Sequence, residues 1–81
     1  MKHEIKIRPE FYKAVIAGMK TFEIRLDDRN YEVGDEVRLM EWDEEGFTGR
    51  YCTVTITYVL KNVQKYGLAK GYCIFGWRSV L

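Results

Sequence analysis

Lys20, Thr21, Glu23 and Arg25 fall within six positions of "GMKTFEIR", directly after Gly18. On a strand, Thr21, Glu23 and Arg25 share one face with roughly 6 to 7 Å between successive members. Lys20, at the turn into that strand, can swing its flexible stem over the row. Arg25 presents a planar fork suited to phosphate or carboxylate, and Glu23 can hold either cation in place. Two readings follow from the pattern. The row is either the wet face of an edge strand, laced by weak surface ion pairs, or a binding site.

Other chemistry finds few residues to work with. His3 and Ser79 are the sole histidine and serine, so a Ser-His-acid triad would need both to meet across the fold. Cys52 and Cys73 lie inside apolar alternating runs and read as small buried hydrophobes, with no disulfide required. Paired Cys/His spacing and glycine-rich phosphate loops are both missing, so neither a metal nor another cofactor is expected. Glu41, Asp43, Glu44 and Glu45 form an acidic cluster best read as a solvated hairpin tip. Of the aromatics, Trp42 and Tyr72 are the best cleft-wall candidates, because each sits at the end of a strand. Trp77, in phase with Cys73 and Phe75, belongs to the core.

The elements that must position these residues are short. "HEIKI" (3 to 7) alternates as a half-buried strand. Pro9 opens a helix of about ten residues, with Phe11, Val15 and Ile16 at helical spacing and Gly18 as its left-handed stop. "TFEIRL" (21 to 26) alternates again, and its apolar members Phe22, Ile24 and Leu26 are expected to face inward. "VGD" precedes a strand from Glu36 to Trp42, and "DEEGFTG" reads as a hairpin loop. "RYCTVTITYVL" is the strongest strand, with Cys52, Val54, Ile56 and Tyr58 on one face, and is long enough to serve two parts of a curved sheet. "YCIFGWRSV" closes the set. Five strands and one early helix predict an α+β, mainly β fold: a small, strongly bent sheet or partly open barrel plugged by the helix.

The 81 residues allow one domain, 1–81, and the composition of 47% hydrophobic and 31% charged residues is that of a folded globule. No run approaches the ~18 apolar residues needed to cross a bilayer, and the charged start does not resemble a signal peptide, so a cytoplasmic location is expected. The net charge of +1 is unevenly distributed: +3 over residues 1–26, −7 over 27–45 and +5 over 46–81. A basic face opposite an acidic hairpin would orient a polyanion.

The run Gly18, Lys20, Glu23, Arg25 resembles the G-x-K-x-x-E-x-R hallmark of the ASCH domains, small relatives of the PUA RNA-binding fold. Almost end to end, the chain is also similar to a small bacterial and phage family of PUA-like proteins of unknown function. The matching positions are His3, Pro9, the KTFEIR run, Asp28, Arg29, the VGD turn, Glu41, Trp42, Gly49, Arg50, and Gly71 with Tyr72. The resemblance implies a PUA-like pseudo-barrel of five to six strands whose cleft faces single-stranded RNA or a nucleotide-like ligand. Lys20, Thr21, Glu23, Arg25, Arg29, Glu41, Trp42, Arg50, Tyr72 and His3 are then the candidate ligand-binding residues. In that role Lys20, Arg25, Arg29 and Arg50 meet phosphates, Glu23 orients arginines or accepts from a base, and Trp42 stacks. Some ASCH-type proteins are amidohydrolases of acetylated cytidine, and others in the wider group cleave single-stranded RNA. If this chain is an enzyme, the resemblance points to Lys20 and Glu23 as its catalytic pair, with Glu23 standing where the amidohydrolases carry a threonine. A third class is a module that binds a protein partner through the acidic hairpin 43–45.

Overall fold

The computed structural model describes residues 1–79. Five strands, one α-helix and one 3-10 turn follow the order β1 (Lys2–Ile7), α1 (Pro9–Ile16), β2 (Phe22–Leu26), β3 (Glu36–Asp43), β4 (Gly46–Lys61), the 3-10 turn Gln64–Tyr66 and β5 (Tyr72–Trp77). The expected last strand stops short, at Trp77, and Val80 of that expectation lies outside the described residues.

The strands form one mixed sheet in the order β1-β3-β4-β5-β2, with β1 parallel to β3 and the remaining pairs antiparallel. It is mainly β, five-stranded and not closed into a barrel. Strand β4 does the bending: its first part pairs with β3 and its last with β5, as its length foretold. A register shift between Ile56 and Tyr58 inverts its alternation. Val54 and Ile56 are therefore buried while Tyr58, expected on their face, is 65% exposed. The expected hairpin loop also contracts. Pairing resumes beyond a shift at Glu41, joining Trp42 to Phe47 and Asp43 to Gly46, because Gly46 and Gly49 adopt positive φ angles closed to most side chains.

The core gathers the inner faces: Ile5 and Ile7 of β1, Val37 and Leu39 of β3, Val54 and Ile56 of β4, and Cys73, Phe75 and Trp77 of β5. Helix α1 packs over this core through Tyr12 and Val15, leaving Phe11 and Ile16, expected to be buried, 48% and 42% exposed. It ends early but in the expected manner. Gly18 (φ 75°) lets its own N–H reach the Val15 carbonyl and the Met19 N–H reach the Ala14 carbonyl, a Schellman stop. The Lys20 N–H bonds the same Ala14 carbonyl at 3.0 Å, which fixes where the following side chains begin.

The largest departure from expectation is the orientation of β2. Its pairing with β5 sets Glu23 opposite Phe75 and Arg25 opposite Cys73, on the core side of the sheet. Phe22, Ile24 and Leu26, expected inside, are 47 to 52% exposed. Two backbone bonds pin this phase at either end, from the Trp77 N–H to the Thr21 carbonyl and from the Asp27 N–H to the Gly71 carbonyl. Alternation shows which residues share a face, and only the pairing partner decides which face is wet.

A candidate ligand cleft along the open seam

Because the sheet does not close, β1 and β2 are its two edges, and they come together across a seam. Two arginines staple it. The Arg25 guanidinium hydrogen-bonds the Lys6 carbonyl, and Arg29 Nη1 donates to the Glu4 carbonyl at 2.7 Å. Side-chain donors thus occupy part of an unpaired strand edge. Beside the staple opens a cleft of about 450 Å³ whose walls include Lys6, Arg8, Glu23, Arg25, Trp42 and Tyr72.

Glu23 is the hinge of the polar row. Its Oε2 accepts from Arg25 Nε at 2.8 Å, and its Oε1 accepts from Lys20 Nζ. The Glu23 side chain is 10% exposed and the Lys20 side chain 15%. Burial of a carboxylate is tolerated here because both oxygens are met by cations. Lys20 Nζ lies 5.6, 5.5 and 5.7 Å from the ring centres of Phe11, Phe22 and Trp77, close enough for cation–π attraction to each. It opens onto an adjoining hollow of about 280 Å³ behind Glu23, not onto the larger cleft itself. The wet-ladder reading of this row is therefore excluded, since Glu23 and Arg25 lie on the core side and Glu23 is interlocked with both Arg25 and Lys20.

Trp42 forms the opposite wall under two cations, with Lys6 Nζ at 5.0 Å and Arg8 Cζ at 5.5 Å from its ring. Arg8 also pairs with Glu44 at 2.7 Å, so the acidic hairpin supplies one anchor to the rim. Lys6, Arg8 and Phe11 were not among the residues expected here. Lys6 sits on the polar phase of β1 and Phe11 on the apolar phase of α1, and only the meeting of two sheet edges turns them toward one cleft.

The other expected site residues lie elsewhere. Arg29 lines a second hollow of about 340 Å³ farther along the seam. Thr21 gives its carbonyl to the Trp77 N–H. Glu41, 2% exposed, accepts from Arg50 Nε and Thr48 Oγ1, each at 2.7 Å, and lines neither seam hollow. His3 lies apart from both seam hollows: its ring is buried, its Nε2 is bonded to Asp35 Oδ2 at 2.8 Å and it packs on Tyr31 at 4.8 Å. Asp35, from the "VGD" turn, also accepts from the Glu32 N–H and the terminal amine. The His3 hydrogen bond, followed by that from the amine, holds the Asp35 carboxyl down at about 2.

Cys73 is buried and Cys52 half-buried, both free, and burial pushes each thiol up. Among the described residues no group of three or more His, Cys, Asp or Glu side chains converges as a metal site would require. No helix among them is long and apolar enough to cross a membrane.

A curated relative from Escherichia phage P2, "Uncharacterized 12.9 kDa protein in GpA 3'region", is 44% identical over 57 residues, covering 70% of this chain and 52% of the relative. The chain thus spans about half the length of that relative. A family described as "Domain of unknown function (DUF3850)" matches residues 2–77, nearly the whole chain. By that match the chain belongs to the DUF3850 family.

Proposed function

We propose that the seam cleft binds single-stranded RNA or a nucleotide, with the Lys20-Glu23-Arg25 cluster and Trp42 as its working parts, and that the domain is of the ASCH/PUA-like kind its hallmark resembles. The observation that carries this reading is the inward turn of the polar row. A strand that exposes Phe22, Ile24 and Leu26 in order to bury Glu23 beside Arg25 gives up apolar burial for a charged pocket. A cavity of about 450 Å³ lies within the range of small-ligand sites. Arg25 has guanidinium N–H donors left over after Glu23 and the Lys6 carbonyl, and these suit a phosphate. Trp42 and Tyr72 offer ring faces on which a base stacks, a contact worth about 1 to 3 kcal/mol.

Binding is favoured over hydrolysis by the engagement of Glu23. With one oxygen on Lys20 and the other on Arg25, the carboxylate already serves to orient two cations. The runner-up, a nucleoside amidohydrolase or ribonuclease, requires a ligand that dismantles this pair.

Fluorescence anisotropy with a labelled single-stranded RNA of mixed sequence tests the proposal. Arg25→Ala is expected to weaken binding by roughly tenfold or more, the effect of one charge-assisted contact, and Lys20→Ala to weaken it less, since Lys20 acts on the cleft through the Glu23 that it shares with Arg25. The slope of log affinity on log salt is expected near −2 for about three phosphates met. Affinity unchanged by both substitutions would contradict it, and cut or deacetylated product lost in Lys20→Ala would replace it with the hydrolase.

A further inference from the structure

We infer that the seam takes two successive nucleotides of one single strand, with the linking phosphodiester over Lys6 and Arg25. This rests on the nucleotide-binding reading of the same seam and goes beyond it by choosing a strand over a free mononucleotide. The gap between β1 and β2 is divided into two hollows, of about 450 and 340 Å³, each near the lower end of the range for small-ligand sites. Trp42 and Tyr72 stand in the larger, Phe47 and Tyr31 in the smaller. Lys6 and Arg25 line both, so the hollows meet at a pair of cations.

Lys6 Nζ lies 5.0 Å from the Trp42 ring and 5.8 Å from the Phe47 ring, reaching one aromatic wall of each hollow. Trp42 and Phe47 are themselves cross-strand partners on β3 and β4. Phe47 is 57% exposed, so its ring is available for stacking. The order along the seam is therefore aromatic wall, cation pair, aromatic wall, which matches the order base, phosphate, base along a single strand. Arg29 adds a further cation to the second hollow, which also carries Glu4 and Asp28, so that cations outnumber carboxylates there by three to two. A mononucleotide fills one hollow and leaves the other, with its aromatic and its arginine, unused.

The test compares adenosine 5′-monophosphate, the ribodinucleotide pApA and its deoxy counterpart by calorimetry on the full chain at one salt concentration. The inference predicts that pApA binds about tenfold or more tightly than the mononucleotide, as a second stacked base requires. Phe47→Ala and Arg29→Gln, both changes at exposed side chains, are expected to shrink that ratio toward one. An advantage shared by the deoxy compound assigns the seam to any single strand, and one confined to pApA assigns it to RNA; both support two linked compartments. Equal affinities for monomer and dimer, or a ratio that survives both substitutions, overturns the two-compartment seam and leaves nucleotide binding standing. Absence of binding by all three overturns both readings.

Discussion

Glu41 and Asp35 show how a buried carboxylate in this chain can serve the fold. Glu41 is almost fully enclosed, whereas the Arg50 side chain that meets it is two-thirds exposed, so the pair is half-anchored in water. Removing Arg50 leaves a buried charge with Thr48 as its remaining hydrogen-bond donor. Arg50→Ala is expected to cost about 1 to 3 kcal/mol in urea unfolding, and Arg50→Ala with Glu41→Leu to recover much of the loss. Asp35 gives a pH signature instead. Its carboxyl is held at about 2 in the folded chain against an ordinary value of 3.8, so the folded state binds its proton less readily than the unfolded state. The stability it contributes is complete above about pH 5 and drains away as pH falls through 4 toward 2. Thermal melts of the parent should therefore steepen in that window, and those of Asp35→Asn should be flatter across it.

At the scale of elements, β2 carries the sharpest prediction, because its inverted face reverses the expected cost of substitution. Ile24→Ala is expected to cost about 1 kcal/mol or less, where a buried position would cost about 2 to 5. Phe75→Ala, opposite Glu23 in the neighbouring strand, is expected to fall in the larger range. Equal losses at the two positions would show that the apolar row of β2 is inside after all. The existence of β1, α1, β2, β3, β4 and β5 was legible from alternation, from Pro9 and Gly18, and from the Val/Thr/Ile run of β4. The facing of β2 was not, because five alternating residues define two equivalent faces and the choice is made by a long-range pairing with β5. The bulge near Thr57 was likewise hidden, since Thr57 continues the alternation in sequence while breaking it in space. For the site, Lys20, Glu23 and Arg25 were legible through their spacing and Trp42 and Tyr72 through their strand-end positions. Lys6, Arg8 and Phe11 join them through the seam, a contact between chain segments that no local pattern encodes.

The whole molecule is a bent sheet with two differently used surfaces. Its seam collects cations and aromatic rings and takes Ile24, Leu26 and Tyr72 into its wall, while the outer face of β4 and β2 presents Tyr58 and Phe22, each more than 40% exposed and both paired with Gly76. Arg8 ties the acidic hairpin to the seam rim, so the negative block of the sequence meets the positive one at the mouth of the cleft. The decisive measurement is a two-dimensional amide NMR titration of the labelled chain with a short single-stranded RNA of mixed sequence. Ligand binding in the seam predicts shifts concentrated at Lys6, from Lys20 to Arg25, at Trp42 and at Tyr72, with little change at Glu41, Arg50 and His3. Shifts centred on the acidic hairpin or on the apolar outer face, or none at all, would contradict it.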